Sequence, residues 1–263
     1  MYHTYPRPLA ILGEDSADLL APLEDFLTEH QVNLTPLVIP YKNPRSLTLA
    51  LGTLEFAGAI VDPSHWGGLA SHLERLNGSA RDAGAVDTLS RIGIELSGSF
   101  MLGEALQVGL ERSHFQSKGA RLMILGSGPL AYAAASVARQ GFSRVVVAAE
   151  NLPEAERLKR IFPANLERYS LSIHDSALLS LLERTDLVIQ AGHRLPLRSW
   201  QPYHTLLDLM DTEAASTLQR LGGHVISPIL IQAEHLRLQL EQISGQRFQS
   251  EAFLELMHRH TGL

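Results

Sequence analysis

The chain has 263 residues, enough for one large or two modest domains, and 45% hydrophobic with 19% charged residues is typical of a globular protein. Its net charge of −6 argues against a basic surface for nucleic acid or anionic membranes, and the absence of cysteine excludes disulfides, thiolate nucleophiles and cysteine metal sites. With neither a basic, apolar signal peptide at the start nor a run of about 18 apolar residues, we expect a cytoplasmic protein without nucleic-acid or membrane partners.

Short apolar runs alternate with helical patterns along the chain, which predicts βαβ units and largely parallel sheets. The predicted strands are residues 9–13, 37–39, 59–61, 121–125, 145–147, 186–189 and 206–209. The predicted helices are residues 17–29, 68–76, 132–140, 153–160, 175–184, 229–244 and 251–260. The fold class is therefore α/β.

Residues 120–150 read as strand, glycine-rich turn, Ala-rich helix, and a second strand ending in an acid. In a dinucleotide-binding unit the first glycine makes the tight turn, the second lets a pyrophosphate approach, and the helix N-terminus faces the phosphates. The turn consists of Gly126, Ser127, Gly128, Pro129, Leu130 and Ala131. Glu150 lies 150 − 128 = 22 residues past Gly128, close to the spacing of an acid that binds the adenosine ribose. The alternative is an ordinary strand-to-helix turn.

Several segments of the chain resemble motifs of the shikimate dehydrogenase family. Residues 84–88, Gly-Ala-Val-Asp-Thr, are similar to Gly-Ala-Val-Asn-Thr, and residues 98–103 lie where the family has Gly-Asp-Asn-Thr-Asp-Gly. The spacing from there to Gly126 fits the family without a gap. Residues 186–191 resemble Asp-Leu-Ile-Ile-Asn-Ala, and residues 229–233 resemble Met-Leu-Val-x-Gln-Ala. The chain is identified as a divergent, shikimate-dehydrogenase-like member.

The resemblance implies an N-terminal α/β substrate-type domain, a Rossmann domain with a doubly wound parallel sheet, and a C-terminal helix that returns to the first domain. We expect residues 1–102, with about 243–263, to form the substrate-type domain and residues 103–242 the NAD(P)-binding domain. The family reaction is the reversible, NADP-linked reduction of 3-dehydroshikimate to shikimate. In the family a lysine and an aspartate act at the substrate hydroxyls, and two serines hold the carboxylate.

The substrate-facing polar positions of the family are changed in this chain. Leu19 and Ala21 stand at the two serine positions of the family, and His65 stands at the position of the lysine. Asp87 stands at the asparagine of Gly-Ala-Val-Asn-Thr. The Asn-Thr-Asp triplet is replaced by Phe100, Met101 and Leu102, and the family tyrosine by Asp211. Lys42 imitates the lysine motif locally, but its spacing favours a solvated residue.

Several of these residues have two interpretations. His65 can serve as a general acid, because histidine titrates near neutral pH, or can be a loop residue without a role. Phe100 and Leu102 either fill the former polar pocket as core or line a pocket for a more apolar ligand. In the second case Asp87 and Gln232 are its polar anchors, with Asp87 a catalytic candidate beside His65. Gln232 can equally be a surface residue.

The cofactor side also departs from the family pattern. NADP-linked members carry Asn-Arg-Thr after the second Rossmann strand, and the arginine binds the 2′-phosphate. Here Glu150 and Asn151 stand in that segment, and a carboxylate repels a phosphate, so NAD is expected in preference to NADP. Gly192 replaces the threonine of Asn-Ala-Thr. No metal is expected, since His258 and His260 lack a third ligand.

Three functions remain open from the sequence. The first is a catalytically retired member that keeps the fold and dinucleotide binding, because the catalytic Lys/Asp pair and the serines are not kept. The second is an active NAD-dependent alcohol oxidoreductase on a less polar small molecule, using His65 and Asp87. The third is a non-enzymatic binding or regulatory module.

Overall fold

The computed structural model describes residues 5–13, 17–40, 43–93, 95–210 and 212–261. Lys42 and Asp211 lie outside these residues, as does the side chain of His260. Within the described part of the chain, no helix is both long and apolar enough to cross a membrane.

Strands and α-helices alternate along most of the chain. The strands are β1 (Arg7–Leu12), β2 (Leu34–Ile39), β3 (Gly58–Val61), β4 (Arg75–Leu76), β5 (Thr88–Ile92), β6 (Glu95–Ser99), β7 (Arg121–Leu125), β8 (Arg144–Ala149), β9 (Glu167–Ser172), β10 (Leu187–Gln190), β11 (Thr205–Asp208) and β12 (His224–Val225). The helices are α1 (Leu20–Glu29), α2 (Pro44–Thr53), α3 (Trp66–Ala70), α4 (Gly78–Ala83), α5 (Leu102–Arg112), α6 (Gly128–Ser136), α7 (Leu152–Lys159), α8 (Ala177–Leu182), α9 (Glu213–Arg220), α10 (Pro228–Ser244) and α11 (Ser250–Thr261). The α/β class predicted from the pattern is confirmed.

The chain divides into two compact units. Unit 1 comprises residues 1–102 and 232–263, and unit 2 comprises residues 103–231. The sequence placed the second division at about residue 243, whereas it falls within α10, between Ile231 and Gln232. A helix has no sequence signal at such a point, because its 3.6-residue pattern continues through it.

Unit 1 is built on one mixed sheet with the strand order β2-β1-β3-β5-β6-β4. Strands β1, β2 and β3 are parallel to one another, as are β4 and β6, whereas β5 runs antiparallel to both β3 and β6. The predicted helix over 68–76 is wrong in its second half. Helix α3 ends at Ala70, and β4 instead pairs with β6, so tertiary pairing overrides the local pattern.

Unit 2 is built on a fully parallel sheet with the order β12-β11-β10-β7-β8-β9. Its central strands are almost wholly apolar, and residues 122–125 and 145–149 are buried. Strands covered by helices on both faces read as continuous apolar runs, which explains why the sequence located them well. The Ala-rich α6 packs closely, since Ala131, Ala133 and Ala134 are fully buried.

An ion pair fixes the starts of two central strands of unit 2. Asp186, the residue before β10, accepts hydrogen bonds from the backbone N–H of Arg121 (2.8 Å) and from its Nε (2.9 Å) and Nη2 (2.8 Å). The backbone N–H of Asp186 donates to the carbonyl of Arg121 at 2.9 Å. The Arg121 side chain holds the pKa of Asp186 below its ordinary value. Strands β7 and β10 therefore enter the sheet in a fixed register.

We expect Asp186→Asn to lower the free energy of unfolding by about 1 kcal/mol or less at pH 7, because both side chains keep over a third of their surface exposed and water screens the pair. Since the folded pKa is depressed, the contribution is complete above about pH 5 and disappears as the pH falls through the folded pKa. Urea denaturation of both proteins between pH 7 and pH 2 measures this difference. The exposed Asp25→Asn is the control, and a difference that does not change with pH would contradict the interpretation.

Candidate functional site

The strand order of unit 2 locates a candidate ligand site. The order reverses between β7 and β10, since β8 and β9 follow on one side and β11 and β12 on the other. In doubly wound sheets, ligands bind outside the carboxyl ends of the strands at such a switch point. The loops that begin there are Gly126–Ser127 after β7 and Ala191–Gly192 after β10.

These two loops approach each other so closely that one position requires glycine. Gly126 has a φ of +136°, and a Cβ atom there would lie 2.3 Å from the carbonyl oxygen of Ala191. Gly192 also has a φ of +136°, and its added Cβ would lie 3.5 Å from the backbone nitrogen of Ser127. Any side chain at Gly126 would push the loops apart, so this glycine makes the tight turn.

The turn after β7 leads directly into α6 with open space before it. Gly128 has a φ of +73°, and a Cβ there would meet no atom within 4 Å. Ser127 precedes the helix without a side-chain hydrogen bond into its first turn. Backbone N–H groups of a first helical turn have no partner within the helix and bind anions well. Leu130 and Ala131 contribute such groups, whereas Pro129 has none.

The acid predicted from the spacing lies at the same edge of the sheet. Glu150 is exposed and follows β8, the neighbour of β7, and Asn151 precedes α7 without a side-chain cap. His193, one residue after Gly192, was not singled out from the sequence. Burial lowers the pKa of His193, while the nearby Glu150 charge opposes this shift. Glu150 and His193 are therefore electrostatic neighbours, which no local motif indicates.

Unit 1 has its own polar centre at Asp87, whose side chain is fully buried. Its Oδ2 accepts hydrogen bonds from the backbone N–H groups of Met101 (2.7 Å) and Leu102 (2.9 Å). Its Oδ1 accepts from Met101 N–H (2.9 Å) and the Thr88 hydroxyl (2.7 Å). Because α5 begins at Leu102, the carboxylate faces a helix N-terminus, which favours negative charge.

His235 on α10 completes this centre and was not predicted from the sequence. Its Nε2 lies 2.8 Å from Asp87 Oδ2, and 15% of its side chain is exposed. One turn later, Gln239 Nε2 donates to the Asp87 carbonyl at 2.8 Å. His235 lies three residues after Gln232 on the same helix, but this spacing alone does not single out a residue 148 positions from Asp87.

An aromatic ring packs against the histidine of the Asp87–His235 pair. The Trp66 ring contacts the edges of Phe100 and His235, with centroid distances of 5.3 and 6.1 Å. Phe100 is 2% exposed and Leu102 5%, and the Trp66 indole N–H donates to the Val61 carbonyl at 2.8 Å. Phe100 and Leu102 therefore pack as core side chains.

The other substrate-side positions are half-buried or exposed in unit 1. His65 is half-buried at the start of α3, directly before Trp66, and its backbone N–H donates to the Asp62 carbonyl at 2.9 Å. Leu19 is half-buried in the turn before α1, while Ala21 is exposed and lines a groove between α1 and α11. Gln232 is exposed on α10. The structure thus brings Asp87 together with His235 and the backbone of Leu102.

The architecture defines a class: a two-unit α/β protein whose second unit has the Rossmann strand order and a glycine turn at its switch point. No family model matches the chain. The shikimate dehydrogenase (NADP(+)) of Geobacter metallireducens is 33% identical over 162 residues, which is 59% of this chain and 57% of that protein.

Two solved structures are similar over nearly the whole chain. Shikimate 5-dehydrogenase from Listeria monocytogenes in complex with shikimate and NAD has a TM-score of 0.80 at 13% identity, covering 98% of this chain and 97% of the other. Ligand-free 5-ketofructose reductase of a Gluconobacter strain has a TM-score of 0.79 at 16% identity, covering 98% and 99%. These solved structures share the fold of this chain, and the sequence match to the Geobacter protein spans little more than half of either chain.

Proposed function

We propose that this protein is a nicotinamide-dinucleotide-binding protein of the oxidoreductase class that prefers NAD and does not turn over shikimate. The observation that carries the proposal is the glycine turn at the switch point of unit 2, with open space before α6 and Glu150 at the end of β8. A bound nicotinamide dinucleotide would supply hydride transfer. The relatives support this cofactor class, since the Listeria structure holds NAD and the Geobacter protein is named for NADP(+).

The preference for NAD rests on the charge of Glu150. Two unit charges about 4 Å apart interact by about 1 kcal/mol in water and by about 4 kcal/mol near a protein surface. A carboxylate at the adenosine ribose accepts hydrogen bonds from both hydroxyls of NAD but repels the 2′-phosphate of NADP. Because Glu150 is exposed, the lower figure applies, which corresponds to a preference of about fivefold.

The loss of activity on shikimate rests on the side chains at the substrate positions. Leu19 and Ala21 donate no side-chain hydrogen bond to a carboxylate, and each such bond contributes about 1.5–3 kcal/mol. Leu102 transfers no proton, and a positioned acid or base contributes about 10²–10⁴-fold in rate. Together these replacements remove both the binding and the chemistry that the family resemblance implies.

A second candidate function is an NAD-dependent oxidoreductase acting on a less polar alcohol or ketone. The observation that favours it is the Asp87–His235 pair, which provides a histidine and a carboxylate at hydrogen-bond distance in unit 1. The same fold serves another named reaction, since the Gluconobacter protein is a 5-ketofructose reductase. A fold supports many reactions, so the site residues decide the substrate.

Calorimetric titration should show NAD binding about fivefold more tightly than NADP, because Glu150 repels the 2′-phosphate. Glu150→Gln should reduce this ratio toward one by improving NADP affinity. Glu154→Gln, an exposed carboxylate in the first turn of α7, is the matched control and should leave the ratio unchanged. Equal affinity of the wild-type protein for both cofactors would contradict the role of Glu150.

No shikimate oxidation should be detectable with NAD or NADP, since the proton-transfer and carboxylate-binding groups are absent from the expected positions. The assay follows the absorbance of reduced nicotinamide, at about 340 nm, in both reaction directions. The Geobacter metallireducens shikimate dehydrogenase is the positive control. Turnover by this chain within about 10²-fold of the control's rate would refute the loss of activity.

A further inference from the structure

We infer that His235, held by Asp87, is an acid–base residue that exchanges a proton with the oxygen of a small secondary alcohol or ketone with a largely apolar body. This inference rests on the second candidate function, in which the chain is an active oxidoreductase. It moves the proton-transfer group from His65, the position expected from the sequence, to a residue on α10.

The hydrogen bonds at the pair determine which nitrogen of the imidazole is available. Both oxygens of Asp87 accept hydrogen bonds from N–H or O–H donors, so His235 Nε2 carries the hydrogen that it donates to Oδ2. In the neutral ring, Nδ1 then has a free lone pair. Among the described residues no hydrogen bond involves Nδ1, and 15% of the side chain is exposed. The ring therefore presents a base on its unbonded side.

The carboxylate is arranged to stabilise the imidazolium that forms when Nδ1 takes a proton. Asp87 is fully buried, faces the N-terminus of α5 and accepts hydrogen bonds from two backbone N–H groups there. A buried carboxylate that orients a histidine and balances its positive charge is the arrangement of Asp and His in hydrolase triads. The resemblance places the family's aspartate at the position of Leu102. The backbone N–H of Leu102 lies 2.9 Å from the Asp87 carboxylate, so a carboxylate is still present next to that position.

A purely structural pair does not explain all of these contacts. The Asp87 oxygens already have donors from Met101, Leu102 and Thr88, and Gln239 already joins α10 to the Asp87 carbonyl. His235 is one donor among several, and it is the one whose ring can also take up a proton. The Trp66 ring packs against His235, so the imidazole has an apolar neighbour, which favours a ligand with few polar groups.

The proton and electron balance is that of alcohol oxidation. The substrate O–H bond breaks and its proton moves to His235 Nδ1, while the C–H bond breaks and its hydride leaves to the oxidised nicotinamide dinucleotide. A C=O bond forms, so the alcohol is oxidised and the dinucleotide reduced. The imidazolium then releases its proton to water. In the reverse direction His235 donates this proton to the ketone oxygen.

The test uses the full chain with NAD and three secondary alcohols: cyclopentanol, cyclohexanol and menthol. We expect the wild-type protein to oxidise at least one of them, and His235→Ala to lower kcat by about 10²–10⁴-fold with a smaller change in KM. Added imidazole should restore part of the lost rate in this variant. Asp87→Asn should also lower kcat, and His224→Ala, an exposed histidine on β12, should match the wild type.

Three results would overturn the inference. The first is wild-type protein that binds NAD but oxidises none of the three alcohols. The second is an unchanged kcat in His235→Ala. The third is a lowered kcat in His65→Ala together with an unchanged kcat in His235→Ala. NAD binding is measured on the same samples by calorimetry. Absent NAD binding would overturn the proposed function itself, whereas NAD binding without His235-dependent turnover overturns only the role of His235. Retained NAD affinity and circular dichroism show that a variant is folded.

Discussion

The organisation of unit 1 depends on the hydrogen bonds to the buried carboxylate of Asp87. A charge removed from water is tolerated only with close donors, and Asp87 has them from Thr88, from the first residues of α5 and from His235. These donors come from three separate parts of the chain. One side chain thus links the start of β5, the N-terminus of α5 and the middle of α10.

In unit 2 the corresponding constraint is the close approach of two strand-end loops. Gly126 must lack a side chain because the Ala191 carbonyl lies where a Cβ would be. The Arg121–Asp186 pair at the opposite ends of the same two strands fixes their register, so the loops meet. The result is an uncapped helix N-terminus beside open space, the local geometry that a pyrophosphate requires.

The sequence predicted unit 2 more completely than unit 1, for a physical reason. The strand, turn, helix and acid of residues 120–150 are adjacent in the chain, so local apolar runs and glycines identify them. Even there, the helix begins at Gly128 rather than Tyr132, because the turn residues join its first turn. In unit 1 the sequence singled out Asp87 from one changed motif position but not His235. Their contact joins residues 148 positions apart, and no periodicity or spacing reports such a pairing.

The polar centre of unit 1 is an Asp87–His235 pair, in which we infer a free base at Nδ1. A long-range proton–nitrogen correlation spectrum of the histidine side chains determines this directly, with His235 assigned from the His235→Ala variant. We expect the neutral form of the His235 ring to be protonated at Nε2 and unprotonated at Nδ1, with resonances that shift in Asp87→Asn. A ring protonated at Nδ1, or one that does not respond to Asp87→Asn, would contradict the pairing.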